Sequence, residues 1–300
     1  MNSDLQRCIE LGLEASSAKM CQEDRLWSRY SHDKVDIGEV LAEVLRTLSK
    51  DLPLRQKLRA LSVGSSSEPQ LRILEAAFQG GVYLFDLDEK ALDIVKERIQ
   101  RQSTHLVRTI NGDYTKTFFT GSETKQFLSE KLEGRPVELI TLHHSLYYCR
   151  AADWRSLFDN LYGTVLADRG AMHSVLMSSE SKEECTTTWL YNHFAGKFFG
   201  CRNDQDLLKL RPQLRKDPMF KKAEILTATH RVRFFVKDFK KFMAVIWMIL
   251  LYPNVHKYSL KQREEITEFV YKHFWIKKRP LIQSQDHVVV YKGIGFKGLI

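Results

Sequence analysis

The sequence predicts an α/β fold, in which seven mainly parallel strands form one doubly wound sheet, with N-terminal helices and a helical insertion before the last strand. The main observation is that short apolar runs alternate with helical stretches from residue 58 to residue 177. Such alternation implies right-handed crossovers between parallel strands. A second observation is that apolar residues in the first fifty positions recur at three- and four-residue spacing, which is typical of amphipathic helices.

The predicted elements follow one another in a regular order up to residue 177, where the alternation stops. Predicted strands cover 58–63, 82–85, 106–110, 137–142 and 171–177, with helices at 69–78, 88–101 and 154–162. The rest of the chain is predicted to contain helices at 182–199, 207–214, 238–251 and 260–273, a long strand at 225–236 and a closing strand at 287–291. Ligands of such folds bind beyond the carboxyl ends of the strands. Helices inserted between the last two strands would therefore cover that edge.

The sequence divides into two predicted parts. Residues 1–50 would form a helical cap, and residues 51–300 a ligand-binding domain whose inserted segments, about 180–222 and 238–275, act as lids over a substrate. The apolar segment 242–252 is hydrophobic on all sides, which is typical of buried core, a lid or a dimer surface. The pattern does not choose between these three, and it indicates no oligomeric state.

Composition narrows the class of protein. The 300 residues are 43% hydrophobic and carry a formal charge of +9. The five cysteines include no Cys-x-x-Cys pair, so neither a disulfide framework nor a zinc site is indicated, and a reducing, cytoplasmic location is expected.

The longest apolar run is well short of the roughly 20 residues that span a bilayer, so no membrane span is expected. The positive charge admits RNA as a partner, but lysines and arginines are spread along the chain, which favours a solvated basic surface.

The turn after the first predicted strand is rich in small residues. Gly64 is followed by three serines and Glu68. Small residues allow a sharp turn and close approach to a ligand, although the same serines are good helix caps. The chain has no Gly-x-Gly-x-x-Gly at this turn and no Gly-Lys-Ser/Thr, so dinucleotide and triphosphate sites are disfavoured. A ligand without phosphates is therefore favoured.

Acidic residues end the second and third predicted strands. Asp86 follows the second strand, where an acid can accept hydrogen bonds from both ribose hydroxyls, and it could equally cap the next helix. Asp113 follows the third strand, where it could receive an adenine amino group with Tyr114 against the ring. A plain turn explains Asn-Gly-Asp equally well.

Imidazole and aromatic residues follow the fourth predicted strand. His143, His144, Tyr147 and Tyr148 lie within six positions of the chain. Adjacent histidines cannot readily face one metal ion, and no carboxylate or cysteine lies at ligand spacing, so no metal site is predicted. These residues are better explained as the rim of a binding pocket.

The order of these parts resembles the class I S-adenosylmethionine (SAM)-dependent methyltransferases, which have a Rossmann-like fold, over residues 58–177. The resemblance implies that SAM is the cofactor and that the first turn holds its methionine part, although the family usually has glycines where the serines stand. The cofactor-binding residues implied in this way are Gly64, Ser65, Ser66, Glu68, Asp86, Leu87, Asp113, Tyr114 and His143. Leu146-Tyr147-Tyr148, Met177-Ser178-Ser179 and Trp189 are further similar to the histamine N-methyltransferase group.

The function implied is methyl transfer from SAM to nitrogen or oxygen of a small molecule, with an amine or imidazole as one acceptor class. His144 and Tyr147 are the predicted catalytic residues, because an imidazole can take a proton near neutral pH. The predicted substrate-binding residues are Tyr30, Asp33, His144, Tyr147, Tyr148 and Trp189. Two alternatives stay open: an RNA methyltransferase, favoured by charge but lacking an Asn/Asp-Pro-Pro-Tyr motif after strand four, and a non-catalytic subunit with this fold.

Overall fold

The computed structural model describes residues 3–16, 20–52, 57–251 and 258–295. Three helices come first, and nine further helices are interspersed with the strands among the described residues. They are α1 (Ser3–Ala15), α2 (Met20–Tyr30), α3 (Asp33–Asp51), α4 (Leu71–Ala77), α5 (Glu89–Gln102), α6 (Tyr114–Thr117), α7 (Gly121–Lys131), α8 (Trp154–Asn160), α9 (Thr187–Phe199), α10 (Leu210–Arg215), α11 (Phe239–Leu251) and α12 (Leu260–Val270).

Seven strands form one sheet in the order β3-β2-β1-β4-β5-β7-β6. Their bounds are β1 (Arg59–Val63), β2 (Gly81–Asp86), β3 (Val107–Asn111), β4 (Val137–His143), β5 (Leu166–Met177), β6 (Glu224–Phe234) and β7 (Leu281–Lys292). The first five strands pair in parallel, with β1 between β2 and β4. The predicted seven-stranded, mainly parallel, doubly wound sheet is thus confirmed.

Two strands are longer than the sequence pattern predicts. β5 begins five residues before Ala171, and this first part includes Asp168 and Arg169, which are exposed. β7 begins six residues before His287, and it includes the polar but buried residues Gln283, Gln285 and Asp286. Charged and amide side chains interrupt the apolar runs that mark a buried strand, so the pattern missed these ends.

The chain forms two compact units that are interleaved along the sequence. The first unit comprises residues 1–36, 177–206 and 229–285, and the second comprises residues 37–176, 207–228 and 286–300. The predicted consecutive division at residue 50 and the lid role of the two inserted segments remain proposals.

The second unit has a hydrophobic cluster on each face of its strands. Leu61 and Val63 of β1 belong to one cluster, whereas Ala60 belongs to the other, and β2 alternates in the same way. Successive side chains of a strand point to opposite faces, so this alternation produces a sheet buried on both sides. The carboxyl ends of the strands are therefore the edge at which loops can bind a ligand.

The first unit is built around the apolar helix α11. This helix packs against α1, α2 and α9, and its residues from Phe242 to Trp247 are buried in one cluster. The indole nitrogen of Trp247 donates a hydrogen bond to the carbonyl oxygen of Gly12, 2.8 Å away. Of the predicted apolar segment 242–252, Tyr252 lies outside the described residues. Among the described residues, no helix has the length and apolar character needed to cross a bilayer.

Candidate functional site

The turn after β1 passes very close to the turn after β4. Gly64 has a φ of +65°, and a Cβ added to it would lie 2.3 Å from the Cβ of Ser145. The backbone amides of Gly64 and Ser65 both donate to the carbonyl oxygen of Phe85, at 2.8 and 3.2 Å. The turn therefore needs glycine at this position, both for its left-handed backbone and for the missing side chain.

Asp86 holds the serine turn in place at the end of β2. One carboxylate oxygen accepts a hydrogen bond from the Ser66 amide at 2.7 Å, and the other accepts one from the Asp88 amide at 2.8 Å. A carboxylate oxygen has room for a second donor, so Asp86 can still accept ribose hydroxyls. Leu87 follows it and is 68% exposed.

The end of β3 is tied to the same place. The side-chain amide of Asn111 donates to the carbonyl oxygens of Asp86 and Leu87, at 3.2 and 3.1 Å, and the Gly112 amide donates to Asp86 as well, at 3.0 Å. Sequence reasoning did not assign a role to Asn111. These bonds bring the ends of β1, β2 and β3 into one continuous edge.

Glu68 is directed into the protein. Its side chain is buried, and its carboxylate accepts hydrogen bonds from the hydroxyl of Ser62 and, at 3.0 Å, from the amide of Gln70. Its backbone is left-handed, with a φ of +40°. These partners make Glu68 a brace for the turn, while its predicted contact with the cofactor stays a prediction.

Asp113 and Tyr114 follow β3 and have different surroundings. Asp113 caps α6 by accepting hydrogen bonds from the amide and the hydroxyl of Thr115, at 2.9 and 2.6 Å. Tyr114 is only 7% exposed, and its hydroxyl donates to the carbonyl oxygen of Ser145 at 2.8 Å. Burial raises the pKa of Tyr114, so this hydroxyl stays protonated as a donor. Its ring supports the turn after β4 from within, and its predicted stacking on adenine stays a prediction.

The turn after β4 presents side chains. His144 has a φ of +54°, which is uncommon for a residue other than glycine, and its amide donates to the carbonyl oxygen of Val175 in β5 at 2.9 Å. The Tyr147 ring stacks on the His144 ring, with a centroid distance of 6.1 Å, and its hydroxyl is 3.5 Å from Nδ1. Tyr148 is 61% exposed. This turn therefore holds an imidazole and a phenol side by side at the edge.

Two buried hydroxyls flank Gly64. The side-chain oxygens of Ser65 and Ser145 have no hydrogen-bond partner within the part of the chain that the structure describes, as is also true of Thr141 and Ser174 inside the sheet. A buried hydroxyl without a partner costs about 1–3 kcal/mol. The Ser65 and Ser145 hydroxyls beside Gly64 therefore fit a polar ligand group such as the ammonium or carboxylate of SAM.

His143, the last residue of β4, is half-buried. Its Nε2 atom lies 3.1 Å from Nδ1 of His173 in β5, and Nε2 of His173 lies 3.2 Å from Nδ1 of His287 in β7. Sequence reasoning missed the latter two. The signal was present, because each histidine interrupts or begins a run of apolar strand residues.

Three predicted substrate-binding residues lie in the first unit. Tyr30 ends α2 beneath the guanidinium of Arg29, which is 5.6 Å from the ring centroid. Asp33 is fully buried at the start of α3 and pairs with Lys34 at 3.1 Å. Trp189 of α9 stacks on His193, one helical turn later, with a centroid distance of 4.6 Å. Their contact with a substrate stays a prediction.

No protein-family model matches this chain, and no curated protein matches it with significant similarity. Solved structures with a similar fold do exist. A Bacillus halodurans protein provisionally assigned as a methyltransferase is 14% identical with a TM-score of 0.51, over 83% of this chain and 99% of that chain. The YcgJ protein of Bacillus subtilis is 12% identical with a TM-score of 0.50, over 85% of this chain and 100% of that chain. These likenesses confirm the Rossmann-like fold.

Proposed function

We propose that this chain is a SAM-dependent methyltransferase that acts on nitrogen or oxygen of a small molecule, with amines and imidazoles as the first acceptor classes to test. The observation that carries the proposal is the cradle at Gly64, where two buried hydroxyls, to which the described residues offer no hydrogen-bond partner, adjoin the acid at the end of β2. The likeness in fold to a protein assigned as a methyltransferase supports the same function.

Each part of the cofactor has a proposed partner at this edge. Gly64, Ser65 and Ser66 would hold the methionine part, with Glu68 bracing the turn. Asp86 and Leu87 would hold the ribose, Asp113 and Tyr114 the adenine, and His143 would lie beside the sulfonium. The bound cofactor would supply an electrophilic methyl group, and the protein would bind and align the acceptor.

The task of the protein is to align a lone pair of the acceptor with that methyl group. Positioning reacting groups in line about 3–3.5 Å apart can lower the barrier by about 7–11 kcal/mol. His144 and Tyr147 are the proposed catalytic pair, because their stacked rings place a hydrogen-bonding nitrogen and hydroxyl together at the turn. An aromatic ring and an acid suit a cationic amine. Tyr148 is proposed to serve that purpose in the second unit, and Tyr30, Asp33 and Trp189 are separate candidates in the first unit.

The first experiment measures SAM binding by titration calorimetry and then formation of S-adenosylhomocysteine with histamine as the probe acceptor. We expect binding by the wild type and a fall in kcat of about 100-fold in His144→Gln, because this variant loses the imidazole of the proposed catalytic pair. His105→Gln is the matched control, because His105 is exposed and lies in the loop before β3. Failure of the wild type to bind SAM would overturn the proposal and favour a non-catalytic subunit.

The net charge of +9 favours RNA as a second candidate substrate. Binding to RNA through phosphate contacts weakens steeply as salt rises. Methylation of a mixed RNA pool that falls between 50 and 200 mM salt, with no methylation of small acceptors, would replace the small-molecule proposal by this one.

A further inference from the structure

Three imidazole rings form a continuous row inside the second unit. His143, His173 and His287 come from three strands, and the two contacts between their ring nitrogens measure 3.1 and 3.2 Å. His173 is fully buried and His287 is 1% exposed, whereas His143 is half-buried at the end of β4. The row therefore begins at the candidate site and runs into the sheet.

The chemistry of imidazole links the three rings. A neutral ring has one N–H donor and one acceptor nitrogen, and each contact in the row needs one of each. If His143 donates from Nε2 to His173, then His173 must donate from its own Nε2 to His287. The opposite arrangement has every proton on Nδ1. The row consequently has two possible polarities, that is, two directions in which all its N–H groups can donate. A change of tautomer at one end of the row therefore changes the tautomer at the other end.

We propose that His143, His173 and His287 act as one proton-carrying unit, which removes the proton of the methyl acceptor. This inference rests on the proposed function. An amine acceptor is protonated near neutral pH and must lose that proton before its lone pair can attack the methyl group. His144 and Tyr147 orient the acceptor, and the proton goes to His143, because that ring has two further rings through which it can pass.

The transfer balances as follows. The acceptor proton binds Nδ1 of His143, the Nε2 proton of His143 moves to Nδ1 of His173, and the Nε2 proton of His173 moves to Nδ1 of His287. No bond other than N–H forms or breaks. The acceptor becomes neutral, His143 and His173 end neutral in the opposite polarity, and the positive charge rests on His287, two rings beyond His143. His143 is then a catalytic residue, and His173 and His287 are positioning residues.

The polarity is testable without any substrate. Proton–nitrogen correlation spectra of the 15N-labelled protein identify which nitrogen of each ring carries hydrogen. In the wild type we expect the Nε2–H form in all three rings. In His287→Phe the Nε2–H of His173 would lose its acceptor, and a buried donor without a partner is rarer than an acceptor without one. Both remaining rings should then change to the Nδ1–H form.

A matched pair of variants controls this measurement. His287→Gln keeps an oxygen that can accept from His173, so the two remaining rings should stay in the Nε2–H form. Should His287→Phe fail to fold by circular dichroism, the smaller His287→Leu provides the same loss of an acceptor. Tautomers of His143 that are the same in all these variants would overturn the proposal.

Kinetic measurements distinguish a proton relay through His173 from a role of this ring in hydrogen bonding alone. A glutamine at residue 173 can donate and accept hydrogen bonds at once but cannot relay a proton as imidazole does. We expect His173→Gln and His173→Phe to lower kcat with histamine about 100-fold, with KM and SAM affinity within about twofold of the wild type. Wild-type kcat in His173→Gln would overturn the relay. Absence of SAM binding by the wild type would instead overturn the proposed function, while the spectra still decide the polarity of the row.

Discussion

The turns after β1 and after β4 meet at Gly64 and Ser145, yet they are built in opposite ways. The first turn is held by main-chain amides that bind Phe85 and Asp86, and its left-handed residues include a glycine. The second turn accepts a left-handed histidine, His144, and presents its ring. Backbone strain is tolerated where a particular side chain is used. This difference agrees with the proposal that the first turn binds the cofactor and the second contributes the catalytic side chains.

The largest effect is expected from Gly64→Ala, which tests the close approach of the first turn to Ser145. The left-handed backbone costs a non-glycine residue about 1–2 kcal/mol, and the clash with Ser145 adds about 1–3 kcal/mol. We expect the free energy of unfolding, measured in urea, to fall by about 2–5 kcal/mol and SAM binding to be lost. Gly134→Ala is the control, because Gly134 has a φ of +70° with nothing within 4 Å of an added Cβ. An equal loss in both variants would contradict the role of the close approach.

The next test uses a buried thiol behind the second turn. Burial raises the pKa of Cys149 to about 11 from its ordinary value of 9.0. Because the folded state favours the protonated thiol, Cys149 contributes to the free energy of unfolding. That contribution is complete below pH 9 and is lost as the pH rises through 11. The loss amounts to about 3 kcal/mol at 1.36 kcal/mol per pKa unit. Urea unfolding at pH 8 to 11 should show a smaller decline in Cys149→Ala than in the wild type, and identical declines would contradict it.

Asp86→Asn examines the bond between the first turn and β2. A hydrogen bond to a charged group contributes about 1.5–3 kcal/mol, so we expect SAM affinity to fall by about 10- to 100-fold in calorimetry. Asp88→Ala is the control. Asp88 caps α5 through the amides of Lys90 and Ala91, and its loss should cost about 1 kcal/mol of stability without a change in SAM affinity. Unchanged affinity in Asp86→Asn would remove this residue from the proposed site.

The smallest effect is expected from His144→Gly. Glycine relieves the left-handed backbone, which costs other residues about 1–2 kcal/mol, but it loses about 0.5–1 kcal/mol through the entropy of the unfolded chain. Stability in urea should therefore be unchanged or about 1 kcal/mol higher, while methyl transfer falls. Ser103→Gly, at a φ of +51° after α5, should change stability similarly and leave methyl transfer unaffected. A less stable His144→Gly would show that the ring stabilises the turn.

The sheet could be predicted because its central strands are uninterrupted apolar runs between helices. β1, β2 and β4 are buried almost throughout, and their sequences show it. The early part of β7 could not be predicted, since Gln283, Gln285 and Asp286 are polar side chains buried by tertiary packing. The interleaving of the two units was equally hidden, because it depends on contacts between segments far apart in the chain.

The sequence predicts at which strand ends the residues of the candidate site lie, but not the direction in which their side chains point. The ends of the strands identify Gly64, Asp86 and His144 as neighbours at one edge. Nothing in the sequence says that Glu68 and Tyr114 are directed inward, because burial of a polar side chain depends on the partner it finds. His173 and His287 stand within or at the start of apolar strand runs, which is a visible signal, but the sequence does not show that their rings meet that of His143.

The way in which the first turn is held has a consequence for evolution. Main-chain amides and the two acids Asp86 and Glu68 hold its shape, so the side chains of Ser66 and Ser67 are open to substitution as long as Gly64 is kept. A glycine-rich fingerprint can then disappear from a lineage while the loop it once described persists. Structures of the same fold are only 14% and 12% identical to this chain.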